Sequence, residues 1–118
     1  MRSNLVVKVT AGGEAPERCA QGLTVASVAA ASGITVSLWL TGEAVWLAVP
    51  GHDVELAHSP ALSTLRDAVL ADGTVTVCSQ CAARRELTEA DLLPGVRLAG
   101  AAVFVSEALA DGTQALVY

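Results

Sequence analysis

Apolar and polar positions along the chain alternate between two rhythms, and the switches between them divide it into short segments. Leu5 to Val9 (Leu-Val-Val-Lys-Val) is a β-branched, almost continuously apolar run broken only by Lys8. It predicts an interior strand of a parallel sheet, followed by a loop at Thr10-Ala11-Gly12-Gly13. From Pro16 the rhythm lengthens: Cys19, Leu23, Ala26 and Ala30 stand at offsets of four, seven and eleven, which places them on one helical face. Pro16 suits the first turn of that helix, Glu17 favours its positive end, and Gly33 suits the position just past its last turn. Ile34 to Leu40 predicts a second strand, and Thr41-Gly42-Glu43 opens a short helix through Leu47.

Pro50 to Pro60 predicts a loop that carries both histidines, His52 and His58; loops of that length are often functional. Leu62, Leu65, Val69 and Leu70, with Ser63 and Asp67 opposite, form an amphipathic helix that Asp72-Gly73 stops. Thr74 to Val77 alternates as a third strand, Cys78 closes it, and Ser79 to Arg85 follows as a helical turn. Thr88-Glu89-Ala90-Asp91 resembles a capping box and starts a short helix ended by Pro94-Gly95. Val96 to Leu98 is a weak fourth strand, Ala101 to Ala110 a last helix, and Gln114 to Tyr118 a fifth strand after the Asp111-Gly112 turn. Strands and helices alternate throughout, without internal repeat or linker. The expected fold class is therefore α/β, an open and mostly parallel five-stranded sheet with helices on both faces, in one domain over residues 1–118.

Composition narrows the partners. Of the 118 residues 53% are hydrophobic and only 16% charged, so the surface is sparsely charged and part of its apolar area is expected to be covered by other subunits. The net charge is −5, and the seven Lys and Arg form no stripe, which argues against nucleic acid. No charged residue occurs from Cys19 to Gly42, a length that could span a bilayer. Gly22, Gly33 and several Ser and Thr interrupt that run and its period changes at Gly33, so a buried helix followed by a buried strand is the preferred reading and no membrane is expected. An odd count of three cysteines, with Lys8 interrupting the first apolar segment, speaks against a secreted disulfide framework and for the cytoplasm.

Chemistry concentrates at Cys78-Ser-Gln-Cys81. Cys78 is the last residue of a strand and the first of a helix, where free backbone N–H groups favour thiolate over thiol. Cys81, one turn on, is placed to resolve an oxidised or sulfur-loaded Cys78, or simply fills space. Arg84 and Arg85 add positive charge that helps only if they fold back; otherwise they form a solvated face. Cys19 belongs to the same sheet edge, since ligands of open parallel sheets bind outside the carboxyl ends of the strands, but its helix neighbours favour a core role. His52-Asp53 has the makings of a base with its orienting carboxylate, against two solvated loop residues. Zinc held by Cys78, Cys81, His52 and His58 is disfavoured, because His52 and His58 stand too far apart in a loop. Trp39 and Trp46 are expected in the core or at a subunit contact. No dinucleotide, Walker or nucleophile-elbow motif occurs, Gly12-Gly13 alone is too weak for a phosphate site, and no cofactor or metal is expected.

These residues give a resemblance. The opening strand, the Thr-Gly-Glu-Ala turn at Thr41 to Ala44, the strand ending in Cys78-Ser79-Gln80-Cys81, the run Leu92-Leu93-Pro94-Gly95-Val96 and the closing strand resemble the DsrE-like family of sulfur-relay and related proteins over nearly the whole chain. The resemblance implies a three-layer α/β/α domain that assembles as a homotrimer or hexamer. It also implies a cysteine at the place of Cys78 that accepts a persulfide sulfur from a donor protein and passes it to an acceptor. The second cysteine, Cys81, departs from a one-cysteine carrier. A sulfurtransferase or persulfide carrier is thus the leading expectation. A homo-oligomeric small-ligand-binding domain without turnover and a Cys78/Cys81 thiol redox sensor are the alternatives.

Overall fold

The computed structural model describes residues 3–118; the first two residues of the expected 1–118 domain lie outside the described part. Five strands form one sheet: β1 (Asn4–Val9), β2 (Thr35–Leu40), β3 (Thr74–Cys78), β4 (Arg97–Ala99) and β5 (Thr113–Val117). Their order is β4-β3-β2-β1-β5, and every pairing is parallel. The interior place of β1, between β2 and β5, explains its near-continuous apolar sequence.

The helices are α1 (Pro16–Ala31), α2 (Leu62–Asp72), α3 (Ser79–Arg84) and α4 (Ala101–Ala108), with 3-10 stretches at Gly42–Ala48 and Glu89–Asp91. From β1 to β4 the chain steps one way across the sheet, so right-handed crossovers lay α1 and α2 on one face. The return from β4 to β5 crosses three strands and brings α4 to the other. α1 starts with Pro16 in its first turn and ends in a Schellman turn: Ile34 N–H donates to Ala29 O and Gly33 N–H to Ala30 O, with Gly33 at φ +83°.

Strand alternation divides the side chains. Val7, Val9, Val36, Leu38, Leu40, Val75 and Val77 pack with Cys19, Leu23, Ala26, Leu62 and Val69 into one hydrocarbon core beneath α1 and α2. The alternate positions point to α4 and are largely polar. Several boundaries differ from the sequence reading by a residue or two. β4 begins at Arg97 rather than Val96, because Val96 is buried in the main core. The helix expected through Leu47 is a 3-10 stretch starting at Gly42. α4 stops at Ala108 rather than Ala110, which leaves Leu109 79% exposed.

Candidate functional site

The carboxyl edge of β3 brings the two sulfurs of the C-x-x-C pair together. Cys78 ends β3 and caps α3 in an extended conformation, φ −60° and ψ 121°, so the N–H groups of the first helical turn face its sulfur. The thiol is partly exposed. Burial alone would raise its pKa, but the backbone N–H of Cys81, the Cys81 thiol, the backbone N–H of Gln80 and the charge of Lys8 outweigh burial and lower it. The thiolate is therefore favoured by fixed donors belonging to the motif itself.

Cys81 is buried. Its sulfur accepts a hydrogen bond from the Gly42 backbone N–H at 3.3 Å, and Arg84 Nη1 lies 3.9 Å away. Gly42 holds this position at φ +55°, and a Cβ there would lie 2.7 Å from the Thr10 carbonyl oxygen. The glycine of the Thr-Gly-Glu-Ala turn is thus needed to bring a backbone donor to Cys81. Arg85 ties the same elements together: Nε donates to Glu43 Oε2 at 2.8 Å and Nη1 to Cys81 O at 3.0 Å. The Arg85 hydrogen bond holds the Glu43 carboxyl below the usual carboxylate range. Of the two arginines, Arg84 reaches toward a site sulfur and Arg85 serves as a clasp.

The remaining candidates lie elsewhere. Cys19 is fully buried in the main core, and burial, with the charge of Glu14, pushes its pKa up to about 11. It is a thiol of the main core. His52 stacks on Trp46 with centroids 5.0 Å apart and lines a cavity of about 260 Å³ with Gly13, Glu14, Glu43 and Asp53. His58, at φ 62°, lines a separate hollow against the first turns of α1. Among the described residues no hydrogen bond joins either imidazole to Cys78 or Cys81. Asp53 is not the orienting partner of His52. Its carboxylate accepts from Ser63 N–H at 3.0 Å and Ser63 Oγ at 2.6 Å, and so caps α2 from ten residues upstream. Among the described residues no three His, Cys, Asp or Glu side chains gather as metal ligands. No described helix is long and apolar enough to cross a membrane.

Periodicity did not reveal the polar layer between the sheet and α4. Glu107 accepts hydrogen bonds from Ser37 Oγ at 2.6 Å, Trp39 Nε1 at 3.0 Å and Arg97 Nη2. Arg97 Nε also donates to Thr76 Oγ1 at 2.8 Å. Phe104 meets Trp39 edge-on at 5.4 Å, and Lys8 Nζ lies 4.7 Å from the Phe104 ring centroid. A charged residue in an otherwise apolar interior strand was the visible trace of this layer.

An all-parallel five-stranded α/β domain with a thiolate-favouring cysteine at the end of a strand defines a recognisable class. The model of the DsrE/DsrF-like family matches residues 3–118, and the chain belongs to that family. Its fold is that of the ychN protein from E. coli, at 18% identity and TM-score 0.79 with both chains fully covered. It is also that of MTH1491 from Methanobacterium thermoautotrophicum, a protein of unknown function, at 12% identity and TM-score 0.69 over 98% of each chain. BT1422 from Bacteroides thetaiotaomicron, a conserved protein of unknown function, aligns at 16% identity and TM-score 0.60, covering 98% of this chain and 95% of its own. Among curated proteins no match is found.

Proposed function

We propose that this protein handles sulfane sulfur, with Cys78 as the accepting nucleophile. The observation that carries the reading is the partly exposed Cys78 thiol, whose pKa is lowered by the backbone N–H groups of Cys81 and Gln80 against the pull of burial. Family membership, which suggests sulfur relay at the level of the family, supports it. The Cys78 thiolate attacks the outer sulfur of a donor persulfide, R–S–SH. A new S–S bond forms at Cys78, the donor's S–S bond breaks, and the donor leaves as the thiolate R–S⁻ while Cys78 carries –S–SH. No net oxidation occurs. An acceptor thiolate then removes the outer sulfur by the same exchange. The donor is a protein persulfide and the acceptor a protein thiol, the compartment is the cytoplasm, and the chain works as a homo-oligomer, a trimer or hexamer, joined through the apolar outer side of α4.

Mass spectrometry of the protein before and after incubation with a persulfide donor tests this reading. One added sulfur atom, lost on reduction and absent from Cys78→Ser, is expected. Equal loading of Cys78→Ser would remove Cys78 from the role, and no loading of the native protein would remove the relay itself, leaving a binding domain.

The hydrogen bond from the Cys81 thiol to Cys78 supports a second reading, a redox sensor. A two-electron oxidant such as hydrogen peroxide would convert the pair to a disulfide with loss of two hydrogens. A reversible mass decrease of two under mild peroxide, without sulfur uptake from the donor, would favour it.

A further inference from the structure

Lys8 and Cys78 share one face of the sheet although one strand, β2, separates them. The register pairs Lys8 with Trp39 and Trp39 with Thr76, so Lys8, Trp39 and Thr76 form one row. Cys78 lies two residues beyond Thr76, on the same side of the pleat and nearer the carboxyl edge. The lysine is held in place rather than free. Its ammonium lies over Phe104, Phe104 stands edge-on to Trp39, and Trp39 is fixed by its hydrogen bond to Glu107.

The charges around Cys78 cancel in pairs, with two exceptions. On the 3-10 stretch and at the end of α3, Glu43 and Arg85 neutralise each other. Between β4 and α4, Arg97 and Glu107 do the same. Arg84, from α3, is directed at the sulfur of Cys81, and Cys81 itself contributes hydrogen bonds from its backbone N–H and its thiol. Lys8 remains, and among the described residues it has no carboxylate partner. Lys8 is half-buried in an interior strand, and the contact its ammonium makes is with the face of Phe104. Retaining it there without a counter-charge needs a reason, and the sulfur on the same face supplies one.

We propose that Lys8 is a positioning residue for the sulfur chemistry: propped on Phe104, it supplies an uncompensated positive charge that draws anionic sulfur, thiolate or persulfide, to Cys78. This rests on the assignment of Cys78 as the nucleophile. The lowered pKa of Cys78, to which the charge of Lys8 contributes, agrees with it. The lysine acts through its field and transfers no proton.

Alkylation tests it without any sulfur donor. Rates at Cys78 are followed by site-resolved mass spectrometry against pH, with neutral iodoacetamide and anionic iodoacetate. In Lys8→Met the midpoint of the pH profile should rise by about half a unit to one unit, so that alkylation at neutral pH slows roughly three- to tenfold. Lys8→Arg should restore it. An unmoved midpoint in Lys8→Met would overturn the proposal, and so would a shift that Lys8→Arg fails to reverse, which would assign the effect to packing. Should Lys8→Met fail to fold, the native protein still decides. Its iodoacetate to iodoacetamide ratio at Cys78 should exceed that of free cysteine and fall with added salt; a ratio no higher than that of free cysteine overturns the proposal. Absence of sulfur loading would leave these rates intact, so the two readings fail separately.

Discussion

Cys19 and Cys78 carry the same side chain on opposite sides of one sheet, and their surroundings drive them in opposite directions. Cys19 lies among hydrocarbon under α1, with only the negative charge of Glu14 bearing on it, and its pKa is pushed up to about 11. Cys78 ends a strand on the α4 side, where backbone donors and Lys8 overcome burial and lower its pKa. The difference follows from topology. Three crossovers cover one face with α1, α2 and their apolar contacts, whereas a single return covers the other with an eight-residue helix, none of whose residues is fully buried. The thick layer excludes water and charge and so silences a thiol. The thin layer has to satisfy polar groups with one another, and it does: among the described residues no buried side-chain nitrogen or oxygen lacks a hydrogen-bond partner. A raised and a lowered thiol pKa thereby belong to different faces of the same strands.

That division can be broken most severely on the packed face. Leu23 is fully buried between α1 and the sheet, and Leu23→Ala should cost about 3 kcal/mol, measured by urea unfolding at fixed protein concentration. A cost below about 1 kcal/mol would mean that the packed face is not where stability resides.

A smaller, pH-dependent loss is expected from the polar layer. Burial pulls the Glu107 carboxyl upward, but hydrogen bonds from Ser37, Trp39 and Arg97, with the charge of Arg97, hold it below its usual range. A carboxyl depressed in the folded state contributes fully above its unfolded pKa of about 4.3 and loses its contribution as the pH falls through the lower folded value. Glu107→Gln should therefore be less stable by about 1 kcal/mol at pH 7, after allowance for screening by nearby water. The gap to the native protein should narrow as the pH falls below about 4. A gap independent of pH would assign the loss to shape rather than charge.

The contrast between the faces also explains what the sequence disclosed. The packed face is built from local periodicity: alternation in β2 and β3 and the helical spacing of Cys19, Leu23 and Ala26 place those residues without reference to anything distant. The strand-ending position of Cys78 and the left-handed Gly33 were legible for the same reason, each depending on its immediate neighbours. The polar layer is not local. Ser37 and Trp39 meet Glu107 across 70 and 68 residues, and no spacing rule connects them. Lys8 stood out in the sequence as a break in an apolar run, without indicating what receives its charge. The engagement of Asp53 with the start of α2, ten residues on, was equally out of reach of local spacing. The one-residue displacement of β4 has the same origin, because Val96 and Arg97 belong to different faces and only the packed sheet decides which turns inward.

The smallest effect on folding, and the sharpest test of why one face is thin, belongs to the outer side of α4. Val105 is 51% exposed and Leu109 79%, and α4 packs against β5, an edge strand whose Val117 is also exposed. An exposed apolar helix flanking an open sheet edge is an unsatisfied surface if the chain stands alone and an interface if copies of it meet there. Leu109→Glu removes no buried contact within one chain, so its intrinsic folding stability should stay within about 0.5 kcal/mol of the native value. A carboxylate placed at a subunit contact would have to be desolvated without a partner, which opposes association. Sedimentation velocity should therefore show the native protein as an oligomer and Leu109→Glu shifted toward the monomer. If the native protein sediments as a monomer, α4 is merely an incomplete cover; if Leu109→Glu assembles unchanged, the subunits meet through a different surface.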